Sequence, residues 1–267
     1  MVDRVLATGA SRIHLVPTHY YSQDSRSRDI TGYCFMDARY QACRSFDSAG
    51  IDSFRTGVAM CVAYAARAGA RSVAVTPRVD KKGESGDSWS IRSWRNGVIF
   101  SPTKKYGGYS YADVMLTPLI DAFAQLPAWM PVHFSLQGEM GATVFRYPLI
   151  WRSLLADVRN RLEAARSKQA EGVVSAQSGT GPVRTGLTFN FVYVDGNASP
   201  NNQVAARSSF GIFGLVFANT LASRYLGMSG GDSSALAFDK GAVRELFFDS
   251  NLHFVGVSAY APLEVCM

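Results

Sequence analysis

Pro131-Val-His-Phe-Ser-Leu-Gln-Gly-Glu-Met-Gly141 is an apolar run that ends in a carboxylate between two glycines. Its length and bounding glycines suit a buried strand, which would deliver Glu139 to a working edge. Three further stretches share the pattern: Arg12-Ile-His-Leu-Val-Pro-Thr-His-Tyr-Tyr21, Ser72-Val-Ala-Val-Thr-Pro-Arg-Val-Asp80 and His253-Phe-Val-Gly-Val-Ser-Ala-Tyr-Ala-Pro-Leu263. Each is a short apolar run that finishes in polar or aromatic side chains. In a parallel barrel, function gathers where the carboxyl ends of the strands converge, so these ends are expected to form one shared site.

Helical spacing fills the intervals. Phe54, Val58, Cys61, Val62 and Ala65 recur at helical period and stop at Gly69, a helix with a glycine end. Residues 111–125 form a second amphipathic segment, which Pro118 is expected to kink. In a third, over 149–165, Ile150, Trp151, Leu154, Leu155, Val158 and Leu162 share one face with arginines among the rest. Such a basic amphipathic helix suits either the outside of a sheet or a membrane surface, and the outer-helix reading is preferred. Further helices are expected over 2–10, 208–226 and 238–248. Strands are expected over 13–16, 73–76, the stretch before Glu139, 187–193 and 254–258. Residues 22–31, 81–88, 167–186 and 196–203 read as loops, with Pro17 stopping the first strand. The resulting order alternates strand and helix with five strands visible, the signature of an α/β fold with a parallel sheet.

Composition narrows the function classes. The chain has 267 residues, 47% hydrophobic and 18% charged, enough for one large α/β domain with a full core. Net charge is +6, but the basic residues are scattered and none forms a run of five, which argues against a nucleic-acid arm. Aromatic residues make up 12%; most are expected in the core, and any at strand ends would suit stacking on sugar rings or bases. Cys34, Cys43, Cys61 and Cys266 include no Cys-x-x-Cys and no histidine pair, so no zinc site is expected. Cys34 and Cys43 fit either a disulfide or buried thiols. No stretch of about 18 apolar residues calls for a membrane span, and the chain as given shows no signal peptide. Gly227 to Ser234 lacks the lysine of a phosphate loop.

Glu139 has two readings. It sits where a general acid would be needed, in a cleft whose burial keeps a proton available. Alternatively it caps the following helix or pairs with an arginine such as Arg95 or Arg146. His19, at the first strand end with Tyr20, either binds substrate or is a satisfied structural histidine beside aromatics.

In order and spacing, Pro-Arg-Val-Asp80, Trp94-Arg95, Gly-Glu139 and Gly-Val-Ser-Ala-Tyr260-Ala-Pro-Leu263 resemble the clan A glycoside hydrolases. The nearest likeness is to the family 113, β-mannanase-like barrels, and it runs from about Gly9 to Leu263. The resemblance implies one TIM (β/α)8-type barrel domain acting on a β-linked polysaccharide by retention, with Glu139 as acid/base. It implies no cofactor, no metal, no nucleic acid and no membrane, and a carbohydrate as partner. Asp80, Trp94 and Arg95 match substrate-side or loop-ordering positions, Asn190 a polar position on strand five, and Tyr260 the strand-six tyrosine. Arg78 stands where the family has histidine. Retention needs two carboxylates about 5 Å apart, and the nucleophile belongs on strand seven. The chain ends just after the match to strand six, and its first barrel strand is not evident. The expectation is therefore an incomplete barrel of five to six strands; Glu264 is not taken as a substitute nucleophile. A non-catalytic carbohydrate-binding relative, or a piece of a longer enzyme, is the alternative.

Overall fold

The computed structural model describes residues 2–24, 29–37, 42–81, 95–171, 180–190 and 238–258. Five strands, β1 (Arg12–Leu15), β5 (Ser72–Val75), β7 (Val132–Gly138), β8 (Val183–Asn190) and β9 (Phe254–Ser258), form one sheet in that order. All four pairings are parallel. Five parallel strands in sequential order match the five expected from the sequence. β8 begins four residues before the expected start, inside the segment read as loop.

A second sheet carries β4 (Ala42–Ser45), β3 (Ile30–Asp37), β2 (Thr18–Gln23) and β6 (Arg78–Lys81), in the order β4-β3-β2-β6. It is mixed: β2 pairs antiparallel with β3 and parallel with β6. β1 does end at Leu15, short of Pro17, but the loop expected over 22–31 is shortened at both ends, since β2 runs to Gln23 and β3 starts at Ile30. Leu15 faces Val75 and Thr18 faces Arg78, so the register is the same on both sides of Pro17 and Pro77. A proline lacks the N–H donor but keeps its carbonyl. Thr76 N–H donates to Leu15 O at 2.9 Å and Arg78 N–H to Pro17 O at 3.0 Å, so the ladder crosses the break. A disulfide joins Cys34 to Cys43 across the β3–β4 pair, with Cα atoms 5.5 Å apart, an ordinary span for the bond.

Helices cover one face of the five-stranded sheet. Asp47 caps α2 (Ser48–Arg67) by accepting from Gly50 N–H at 2.6 Å, so the helix starts before the apolar pattern does. A π-helical turn, Ala112–Leu116, runs into α3 (Thr117–Phe123). Pro118, with no N–H to donate, sits in the first turn of α3, where the wide π turn tightens to an α-helix. After α4 (Gly141–Arg146), α5 spans Pro148–Glu171 and buries Trp151, Leu155, Val158 and Leu162. Each such side chain contributes about 2–3 kcal/mol by leaving water. α6 (Lys240–Phe247) packs on α5. A short helix, α1 (Val2–Ala7), precedes β1.

The core lies between these helices and Val73, Val75, Val132, Phe134, Leu136, Leu187 and Phe189 of the sheet. The arginines of α5 are engaged within the protein: Arg152 with Glu245 and Asp249, and Arg161 with Asp121. That is the outer-helix arrangement. Among the described residues no helix is long and apolar enough to cross a membrane.

Candidate functional site

Glu139 follows β7, and the strand reaches it through a bulge. Ser135 faces Gly186 and Gly138 faces Thr188, so β7 spends one extra residue on the same length of β8. Such bulges re-aim side chains at sheet ends. Polar groups of the strand itself hold this one. Ser135 Oγ donates to Gln137 O at 2.7 Å and shares a 2.9 Å hydrogen bond with Thr188 Oγ1. Gln137 clamps the turn from both ends of its amide: Nε2 donates to Thr188 O at 2.9 Å, and Oε1 accepts from Met140 N–H at 2.7 Å. Glu139 N–H also donates to Thr188 O, at 2.8 Å. Gly138 is required here because a Cβ would lie 2.7 Å from Thr76 Cγ2. The first flanking glycine thus admits the Thr76–Pro77 segment that follows β5, where the sequence suggests room for a ligand.

Within this clamp Glu139 adopts φ +65°, the one non-glycine residue with positive φ among the described residues. The left-handed region costs an L-residue about 1–2 kcal/mol. A comparison of two substitutions isolates that strain, since both remove the carboxylate but only glycine is at ease there. Glu139→Gly is expected to be more stable than Glu139→Ala by about 1 kcal/mol in urea unfolding; equal stabilities would mean the backbone is unstrained.

Glu139 is 2% exposed. Arg95, in a helical turn at 95–97, donates from Nη1 to Glu139 Oε2 at 2.9 Å and from Nε to Asp80 Oδ1 at 2.7 Å. Burial works against the guanidinium charge, but the bond and charge of Asp80 and the charge of Glu139 outweigh it and raise the arginine's pKa. Three charged side chains from β6, the 95–97 turn and the end of β7 therefore form one buried unit. Of the two arginines offered as partners for Glu139, the one that pairs with it is Arg95.

Tyr20 lies beside Asp80 in the β2–β6 register, so the two side chains leave the sheet on the same face. Arg78, two residues before Asp80, donates from Nε to Thr18 Oγ1 at 3.0 Å. His19 projects from the opposite face. It is buried between the rings of Phe46 and Phe54, and its Nε2 bonds Val114 O at 3.1 Å. It lines a mainly apolar cavity of about 500 Å³ between β2 and α2. The structure thus brings Tyr20, Asp80, Arg95 and Glu139 to one side and leaves His19 on the other. Asn190 ends β8 with its backbone in register with Ser258. Trp94, Tyr260 and Glu264 lie outside the described residues, as does the helix expected over 208–226.

Burial lowers the pKa of His19 from 6.5 to about 4, against the backbone bonds that favour its charge. A group depressed in the folded state contributes stability above its unfolded pKa and loses it as pH falls through the folded value. Unfolding free energy is therefore expected to drop by about 3 kcal/mol between pH 6.5 and pH 4 on account of His19 alone. His14 and His133, also lowered by burial, act in the same direction. Denaturant titrations across that range should show the loss, and His19→Phe should flatten the profile.

Gln137 and Thr188 were not singled out by the sequence reading. The available signal was a glutamine inside an apolar run, since a buried amide must find partners. Among the described residues no group of three His, Cys, Asp or Glu could hold a metal ion.

Two solved structures, both β-1,4-mannanases of glycoside hydrolase family 113, match this chain at low similarity. One has a TM-score of 0.36 and 12% identity over 72% of this chain and 50% of its own, so the chain spans about half of that structure. The other, described as a complex, has a TM-score of 0.35 and 11% identity over 96% of this chain and 80% of its own. No protein-family model matches the sequence, and no curated protein does. The likeness is a remote one of fold.

Proposed function

We propose that this chain is a glycoside hydrolase-like (β/α) barrel protein that takes a β-linked oligosaccharide at the carboxyl ends of its parallel strands, with Glu139 as acid/base. One observation carries the reading: a buried carboxylate is held in a strained left-handed conformation by a dedicated clamp, at the strand end where ligands of parallel sheets bind. Strain of that kind collects at functional positions, because a glycine would serve the backbone better. The motif order of Asp80, Arg95 and Glu139 supports the same site, and Tyr20 supplies an aromatic ring next to Asp80. Trp94, Asn190 and Tyr260 are proposed as further substrate contacts. The strand-seven nucleophile of a retaining enzyme is left unassigned.

A second reading is favoured by that same guanidinium. A carboxylate that accepts from Arg95 is held as an acceptor, whereas a general acid must bring a proton, so a carbohydrate-binding protein without turnover fits this geometry. Incubation with aryl β-glycosides and β-1,4-linked oligosaccharides separates the two. Turnover that falls on Glu139→Gln supports hydrolysis; oligosaccharide binding with no turnover supports the second reading; neither binding nor turnover rejects both.

A further inference from the structure

The face of the five-stranded sheet opposite its apolar core carries a row of basic side chains at the end away from Glu139. His14 faces Ala74, Ala74 faces His133, and His133 faces Arg184. Residues that face one another across a ladder leave the sheet on the same side. Arg12, two residues before His14, shares that side and faces Ser72. The alternate residues Ile13, Val73, Val132 and Val183 are buried, so the apolar core takes one face and the basic row the other.

Arg12, His14 and Arg184 are exposed and His133 is half-buried. Among the described residues, neither Arg12 nor Arg184 has a carboxylate partner. By register the two arginines leave the sheet on the same side as His133, Arg184 on the neighbouring strand and Arg12 on a strand three spacings, about 14 Å, from that of Arg184, and after burial both charges act against a charge on His133. Ser72 and Ala74 form a floor of small side chains between the two flanks. Like charges on one face over a small-residue floor are mutually unfavourable, and an anion seated among them relieves that repulsion. Guanidinium forks are suited to bidentate contacts with oxyanions.

We infer that Arg12, His133 and Arg184, with His14 beside them, form a binding site for a tetrahedral oxyanion such as a phosphate or sulfate ester group. The site is separate from the proposed sugar site. His133 and Glu139 are six residues apart along one strand, about 20 Å, so failure of either proposal leaves the other standing. His14 Nε2 already bonds Thr76 Oγ1 at 2.8 Å, so it frames the site while the two arginines and His133 supply the donors.

The chain has four histidines, so their ring C2–H proton resonances can be followed individually after assignment with His14→Gln and His133→Gln. Inorganic phosphate and inorganic sulfate are titrated separately at fixed neutral pH, with ionic strength held by chloride. The expected result is a saturable shift of the His133 signal, with His14 following, at about millimolar anion. His19, on the second sheet and buried, stays fixed as the internal reference. Saturation by both anions assigns a general oxyanion site, and saturation by phosphate alone narrows it to phosphate esters. The exposed Arg12→Gln/Arg184→Gln double variant should retain the His19 signal of the folded protein and weaken binding at least about tenfold. A shift that never saturates, that chloride reproduces, or that the double variant preserves would overturn the inference.

Discussion

Replacing Arg95 by methionine is expected to lower the unfolding free energy by about 3–5 kcal/mol, the range for removing one partner of a buried ion pair. The guanidinium bridges two carboxylates whose side chains are 16% and 3% exposed, Asp80 and Glu139 respectively. Without it both carboxylates lose their cation while still largely shielded from water, and the penalty comes from them more than from the lost attraction. Two companion variants identify that cause. Arg95→Lys keeps the charge but offers a single ammonium in place of a fork, so it should recover part of the loss. Arg95→Met/Glu139→Gln removes one stranded carboxylate and should be more stable than Arg95→Met alone. Urea unfolding at neutral pH reads all three, and an Arg95→Met variant within 1 kcal/mol of the wild type would show that the network is not the structural unit described.

This network also marks where sequence reasoning stops. The strand that carries Glu139 could be read from its apolar run and glycines, and the parallel order of five strands from the alternation of periods. The identity of the carboxylate's partner could not. Arg95 and Arg146 are equal candidates by type, and the choice depends on the tertiary contact that sets Arg95 2.9 Å from Glu139. Likewise Gln137 reads as one more strand residue until the bulge turns its amide onto Thr188 and Met140.

The four-stranded sheet was missed for a local reason. Pro17 reads as a stop because it lacks a donor, whereas the structure uses its carbonyl and continues the ladder with Thr76 and Arg78. With β2 recognised, 18–23 and 30–37 read as an antiparallel pair, which is how the structure pairs them. His19 followed from the same omission. A residue placed at a strand's terminus looked like a site residue, but as the second position of a further strand it faces α2.

The larger functional effect is expected at Glu139. Glutamine keeps the side chain's size and an oxygen for Arg95, but cannot exchange a proton, and loss of a positioned acid/base slows a reaction by about 10²–10⁴-fold. Substitution at this residue should therefore affect rate far more than fold. Tyr20→Phe, by contrast, keeps the ring that would stack on a sugar and should change the rate little. The strain at φ +65° belongs to the same argument, since stability is given up at the position where chemistry is proposed.

The most direct test is the release of reducing ends from a β-1,4-linked oligosaccharide by the wild type and by Glu139→Gln, with circular dichroism confirming equal folding. The expected result is turnover by the wild type and a loss of about 10²–10⁴-fold in the variant. Equal turnover by the two proteins, or none by the wild type, would contradict the assignment of Glu139 as acid/base.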